Sequence, residues 1–232
     1  MNLSIAIHGA KQYLYHRGSR TENQGWQSLE GFYPTLEVIG VRISGVYSGS
    51  LDELREDVRP NLPWADQHFA ERVSGIPYNP PPSHVNWPFA KKENKTFIEG
   101  EKFSHTYPER IWGGPGGTLS DVVNLLKKDI NTRQAFLPIW FPEDTGNTNG
   151  VRVPCTLGYQ FLVREGKMTV IYSIRSCDVF RHLRDDVYMA ARLGIWMSDQ
   201  LGLDRMDGSL IMDIGSLHCF VHEGKNLLNA KY

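Results

Sequence analysis

The chain has 232 residues, a formal net charge of -1, and 41% hydrophobic and 11% aromatic residues, enough apolar side chain for one sizeable core with no overall pull toward nucleic acid or an anionic membrane. Its three cysteines, Cys155, Cys177 and Cys219, form no CxxC pair, which argues against a disulfide framework and a cysteine zinc site and fits a reducing compartment. No stretch has the segment order of a signal peptide or the apolar length of a bilayer span, so we expect a soluble cytoplasmic protein with one domain over 1–232.

Residues 1–16 fit a short amphipathic helix or a strand equally well. Residues 17–33 are polar and glycine-punctuated, which predicts a loop; its Arg17 and Arg20 are either solvated or within reach of an anion. Residues 35–46 are rich in β-branched side chains and read as a strand, with Gly40 and Gly45 as bulge candidates. Ser50 followed by Glu53 is a capping box that opens a helix, broken by Pro60 and Pro63. A second helix is expected over 64–73, stopping at Gly75. Glu71 lies on its last turn, where most glutamates are solvated. Residues 76–106 are proline-rich, and a loop of that length is usually functional or mobile; Tyr78, Trp87, Phe89 and Phe97 either wall a ligand cavity or anchor the loop.

Further on, Thr118 caps an amphipathic helix with Asp121 at its third position and Leu119, Val122, Val123, Leu126 and Ile130 at helical spacing. Residues 135–141 read as a strand. A β-hairpin follows, with arms over 158–164 and 168–173 and a turn at Glu165-Gly166-Lys167. Residues 187–203 are apolar around most of a helical circumference, which predicts a central buried helix, opened by Arg184-Asp185-Asp186. Residues 209–221 read as a final strand pair broken at Gly215. Strands and helices mix without strict alternation, so the expected class is α+β.

The chemistry gathers around the hairpin. Cys155 precedes its first arm and Arg175 follows its second, so the turn brings thiol and guanidinium together. That pairing favours the thiolate and is expected to lower the Cys155 pKa toward a nucleophile's; a structural thiol is the other reading. Asp186 is either an ordinary acid at a helix N-terminus or a group of the site.

Pro154-Cys155, Gln160, Arg175-Ser176-Cys177-Asp178, Asp186 and Gly215-Ser216-Leu217-His218, with Asn131-Thr132-Arg133 and Tyr107 upstream, resemble the thymidylate synthase superfamily, from about Thr35 to Val221. The GSLH element and the TLEVIG strand resemble its cytidylate (CMP or dCMP) hydroxymethylase branch. The resemblance implies a thymidylate synthase-like fold and a one-carbon transfer from 5,10-methylenetetrahydrofolate to C5 of a pyrimidine nucleotide. It implies that Cys155 adds to C6, that Glu71 organises water and proton transfers, and that Tyr107 completes the catalytic set. Phosphate falls to Arg133, Arg175 and Ser176, the sugar to His218, the base to Gln160 and Asp186, and folate to Asp178. Family members are homodimers, with the arginine at the Arg133 position crossing to the partner's site.

Four departures carry information. Synthases meet uracil with an asparagine amide where this chain has Asp186; a carboxyl accepts from the cytosine amino group and, when protonated, donates to N3. Asp185 beside it leaves a one-residue ambiguity. Family members carry two adjacent arginines where this chain has Arg133-Gln134, and a tyrosine where it has Phe220, which leaves the ribo- or deoxyribonucleotide preference open. Synthases continue into a tail that closes over folate, whereas this sequence stops at Tyr232; either it is trimmed, or folate is expected to be covered differently, by residues 76–106. The expected function is therefore CMP hydroxymethylation with dCMP also accepted. The rivals are a thymidylate synthase, a catalytically degenerate nucleotide-binding protein, and a cysteine hydrolase pairing Cys155 with His182 or His218.

Overall fold

The computed structural model describes residues 1–22, 34–88, 98–99, 102–115, 117–146, 152–204 and 207–228. Residues 1–16 resolve as a helix: α1 spans Leu3–Arg17, and Leu3, Ile7, Ala10 and Leu14 are buried at helical spacing. The expected loop after it is in part a strand, because β1 (Ser19–Thr21) pairs antiparallel with the start of β2 (Thr35–Tyr47). In α2 (Leu51–Val58) the Ser50 side chain accepts from the Glu53 N–H, one half of the expected capping box, while the Ser50 N–H donates to Ser48 Oγ at 3.1 Å. α3 spans Trp64–Arg72. The long segment that follows carries a two-stranded ribbon, β3 (Ile98–Glu99) with β4 (Lys102–Phe103), and then the short helix α4 (Tyr107–Trp112). Phe89 and Phe97 lie outside the described residues.

The capping box of Thr118 and Asp121 opens α5 (Leu119–Lys128). β5 (Phe136–Pro138) is shorter than expected. The hairpin forms as predicted, from β6 (Thr156–Arg164) and β7 (Lys167–Asp178). α6 (Leu183–Leu201) is the central buried helix, with Val187, Tyr188, Ala190, Ala191 and Met197 each at 2% exposure or less. β8 (Gly208–Phe220) is one continuous strand where the sequence suggested two.

Six strands form one mixed sheet in the order β1-β2-β8-β7-β6-β5. All neighbours are antiparallel except β7 and β8, which run parallel and are joined through α6, the crossover a parallel pair requires. The helices cover one face. The opposite face presents Ile39, Val46, Phe136 and Leu157, each more than a third exposed. The architecture is the expected α+β class. Among the described residues no helix is long and apolar enough to cross a membrane.

The strand that seemed broken at Gly215 is continuous because the break is shared by its neighbours. Paired rows skip Gly40 on β2, Gly215 on β8 and Arg175 on β7, and a bulge sits between Thr156 and Gly158 on β6. On one side of this row the core side chains are Val41 and Ile43, Val170 and Tyr172, Leu210 and Met212; on the other they are Leu36 and Val38, Cys177, Leu217 and Cys219. The alternation thus shifts by one residue on three strands at the same level. Gly40 has φ +71°, a region L side chains rarely adopt. A Cβ on Gly215 would stand 2.7 Å from the Arg175 carbonyl oxygen. The shift leaves Arg175 on the outer face while Cys177 turns toward the helices, and Cys155 stands at the same level.

Candidate active site

One cavity of about 200 Å³ opens where α3, α4, the start of β6, the end of β7 and the N-terminus of α6 meet. Four of the sequence-predicted residues line it together: Cys155, Tyr107, Ser176 and Asp186.

Cys155 is half-buried. The hairpin does bring Arg175 to it: the Arg175 N–H donates to the Cys155 carbonyl at 2.9 Å, and Nη2 lies 3.9 Å from Sγ. Most of that guanidinium is used elsewhere, with Nε donating to Pro154 O at 2.9 Å and Nη2 to Val153 O at 3.2 Å. The expected low thiol pKa is not found. Burial pushes the Cys155 thiol up, and this outweighs the pull of Arg175 and Arg152, with Asp186 adding to the rise.

Asp186 sits in the first turn of α6, and Cys177 Sγ lies 3.7 Å from its Oδ2. Burial pushes its carboxyl up to about 7, against the pull of Arg72 and with a further push from Asp185. Its neighbour is committed to structure. The Asn61 N–H and Nδ2 donate to the two Asp185 oxygens at 2.8 and 2.7 Å, so Asp185 ties the entry of α3 to the start of α6. Tyr107 opens α4, accepts from Thr156 Oγ1 at 3.1 Å and lies under the Arg72 guanidinium at 4.1 Å. Burial holds its hydroxyl protonated well above the ordinary tyrosine range.

Trp87, His182 and Asp185, also singled out in the sequence, line the cavity as well, whereas the other residues that the resemblance assigns to the site do not. Glu71 is behind its wall: the Ser83 N–H and hydroxyl donate to it at 2.5 and 2.6 Å, and His68 Nδ1 lies 3.2 Å away. Burial alone would raise its carboxyl, but the His68 and Ser83 hydrogen bonds win and hold it below its usual value. Asp178 is 1% exposed, and its oxygens accept from the Phe180 and Arg181 N–H groups and from the Arg181 guanidinium. His218 is buried on β8, in the row paired with Asp178. Gln160 donates to the Arg133 carbonyl at 2.8 Å, and Arg133 itself is exposed. Arg20 is paired with Glu22 at 2.9 Å.

The sequence reading missed a stripe on α3. Trp64, His68 and Arg72 fall four residues apart, so they share one helix face, and that face lines the cavity. The signal was the spacing itself. Arg72 is 7% exposed, and among the described residues its Nε has no hydrogen-bond partner. Trp87, His105, Arg152 and His182 complete much of the wall. Trp64 stacks on His68 (5.1 Å between ring centroids, 14° between planes) and Trp87 on His182 (5.8 Å, 21°). Burial lowers His68, His105 and His182 each to about 4, so all three rings are neutral at pH 7. Among the described residues no three His, Cys, Asp or Glu side chains are grouped to hold a metal ion.

A thiol, a tyrosine and a carboxyl that titrates near 7 thus share one cavity with two stacked ring pairs. The thymidylate synthase family model matches residues 101–229, more than half of the chain, and the chain belongs to that family. It is 27% identical to a thymidylate synthase of Listeria innocua serovar 6a and 28% to one of Listeria monocytogenes serovar 1/2a, each over 143 residues, 56% of this chain and 44% of the relative. The match thus spans less than half the length of these curated relatives.

Proposed function

We propose that this protein is a folate-dependent hydroxymethyltransferase acting at C5 of a cytosine nucleotide, CMP with dCMP also accepted. The observation that carries the reading is Asp186: it shares a cavity with Cys155, and its carboxyl titrates near 7. Half-protonated at working pH, it accepts from the cytosine amino group and donates to N3. Opposite uracil the ionised half of that population would set an acceptor against the C4 carbonyl and leave it unpaired, at about 1–3 kcal/mol.

Cys155 adds through sulfur to C6 and makes C5 nucleophilic. Because burial holds the free thiol protonated, the ionising step belongs with substrate binding, when the Sγ proton passes to solvent and Arg175 and Arg152 stabilise the thiolate. Tyr107, held protonated between Thr156 and Arg72, donates within the cavity. Arg175 and Ser176 take the phosphate, and His218, buried on β8, takes the sugar. Bound 5,10-methylenetetrahydrofolate supplies the one-carbon unit; the flat Trp64 and Trp87 rings fit its planar head. Asp178 is committed to its own turn and supports that wall from behind.

Two features support a homodimer in which Arg133 serves the partner's site. Arg133 is exposed outside its own cavity, and the outer sheet face carries Phe136 and Leu157, 48% and 38% exposed. A second reading, thymidylate synthase, has in its favour the relatives just described. Mass spectrometry of products from CMP, dCMP, UMP and dUMP with methylenetetrahydrofolate separates the two. A hydroxymethyl product on CMP or dCMP, lost in Cys155→Ala with nucleotide binding retained, is expected. A methyl product on dUMP alone would replace this reading with the second.

A further inference from the structure

Glu71 is the carboxylate that the family resemblance assigned to water and proton transfer, yet both its oxygens are occupied and it does not line the cavity. The side chain between it and the cavity is His68, which is 7% exposed and shares the cavity wall with Cys155, Tyr107 and Asp186.

The hydrogen bonds fix the form of this ring. Nδ1 lies 3.2 Å from Glu71 Oε2 and 3.4 Å from Ser83 Oγ. An ionised carboxylate only accepts, so Nδ1 carries the ring proton and donates it. Nε2 then keeps its lone pair, and among the described residues it has no hydrogen-bond partner. Stacking on Trp64 and an edge contact with Tyr107 (6.4 Å between centroids) hold the plane of the ring. Carboxylate, imidazole and open cavity are therefore in series, the arrangement in which an acid orients a histidine and stabilises the imidazolium that forms.

We propose that His68 Nε2 is the general base that activates water in this cavity, with Glu71 and Ser83 as its positioning residues. The inference rests on the hydroxymethylation reading above. In the step it serves, the nucleotide carries an exocyclic methylene at C5 and the Cys155 sulfur at C6. Water oxygen bonds to the methylene carbon as one water proton moves to Nε2. The methylene π electrons enter the ring, and the C6–S bond breaks with its electrons leaving on sulfur. The C5–C6 double bond returns, and the imidazolium passes its proton to solvent. Burial keeps the ring neutral and able to accept beforehand, while the Glu71 carboxylate offsets part of the cost that burial and Arg72 place on the imidazolium.

The test compares wild type, His68→Gly and Glu71→Gln on CMP and dCMP with methylenetetrahydrofolate, with and without added imidazole. His68→Gly is expected to lower kcat by about 10²–10⁴-fold with the nucleotide KM within about threefold, and imidazole is expected to restore about tenfold or more. Activity within about threefold of wild type, or a loss in a folded variant that imidazole does not restore, overturns the assignment. ¹⁵N NMR of the wild-type histidines gives a readout that needs no variant to fold. A His68 ring protonated at Nδ1 and bare at Nε2 is expected, with that preference weakened in Glu71→Gln; the opposite tautomer in wild type overturns it. If wild type forms no hydroxymethyl product with either nucleotide, the hydroxymethylation reading fails, and the tautomer still decides whether His68 is oriented as described.

Discussion

Asp186 ties ligand choice to stability. Its carboxyl sits near 7 in the fold, above the ordinary aspartate value of 3.8, because it is buried. Between those values the folded chain binds more protons than the unfolded one, so this residue makes stability fall as pH rises from about 4 to about 7. Asp186→Asn removes the titration. The variant should therefore gain in Tm relative to wild type across that window, with the difference level above it; a difference that stays flat with pH would contradict the buried, raised carboxyl. The same substitution should shift preference toward uracil nucleotides, because an amide offers both a donor and an acceptor. Unchanged cytosine selectivity would remove the base-recognition argument while leaving Cys155 chemistry intact. The Cys155 thiol shows why residue identity alone misleads. A guanidinium next to a thiol is visible in the hairpin pairing, but its effect is set by how much water the fold leaves around the sulfur, and burial wins.

At the scale of elements, the sequence declared what local physics determines. The hairpin followed from period-two patterning and turn residues, α5 from its capping box, and α6 from apolar side chains around its circumference. Neighbourhoods between elements were not legible. Glu71 and Arg72 are adjacent in sequence but point about 100° apart on α3. Only the placement of α3 against α4 and α6 decides that Arg72 enters the cavity and Glu71 backs it. The ambiguity between Asp185 and Asp186 has the same origin: both line the cavity, and Asn61 occupies both oxygens of Asp185 from the entry of α3. Asp185→Ala should therefore destabilise the protein by about 1–3 kcal/mol, since it strands the Asn61 donors. Its ratio of cytosine to uracil activity should stay that of wild type. A change in that ratio, measured beside a denaturation curve, would mean that Asp185 also reads the base.

The whole molecule is a sheet with one face under helices and one face open. The open face carries Ile39, Phe136 and Leu157, Arg133 is exposed just before β5, and apolar patches of this kind mark interaction surfaces. If two copies meet there, a charge placed in the patch should separate them. Phe136→Lys is expected to shift the mass found by analytical ultracentrifugation from dimer to monomer. Activity should fall with it, because the partner's Arg133 position is then empty. A wild-type protein that sediments as a monomer at all concentrations would end the proposal of a shared site.

The aligned break through Gly40, Gly215 and Arg175 also governs how the chain can vary. The inward and outward sets of side chains exchange at one level on three strands at once. A residue added to or deleted from any one of them, at either side of the break, would put that strand out of phase with the other two. Its core side chains would then face water, and the residues beside the cavity would face the wrong way. Gains and losses of length are therefore confined to the connections between strands, and the sheet behaves as a single unit that is inherited whole.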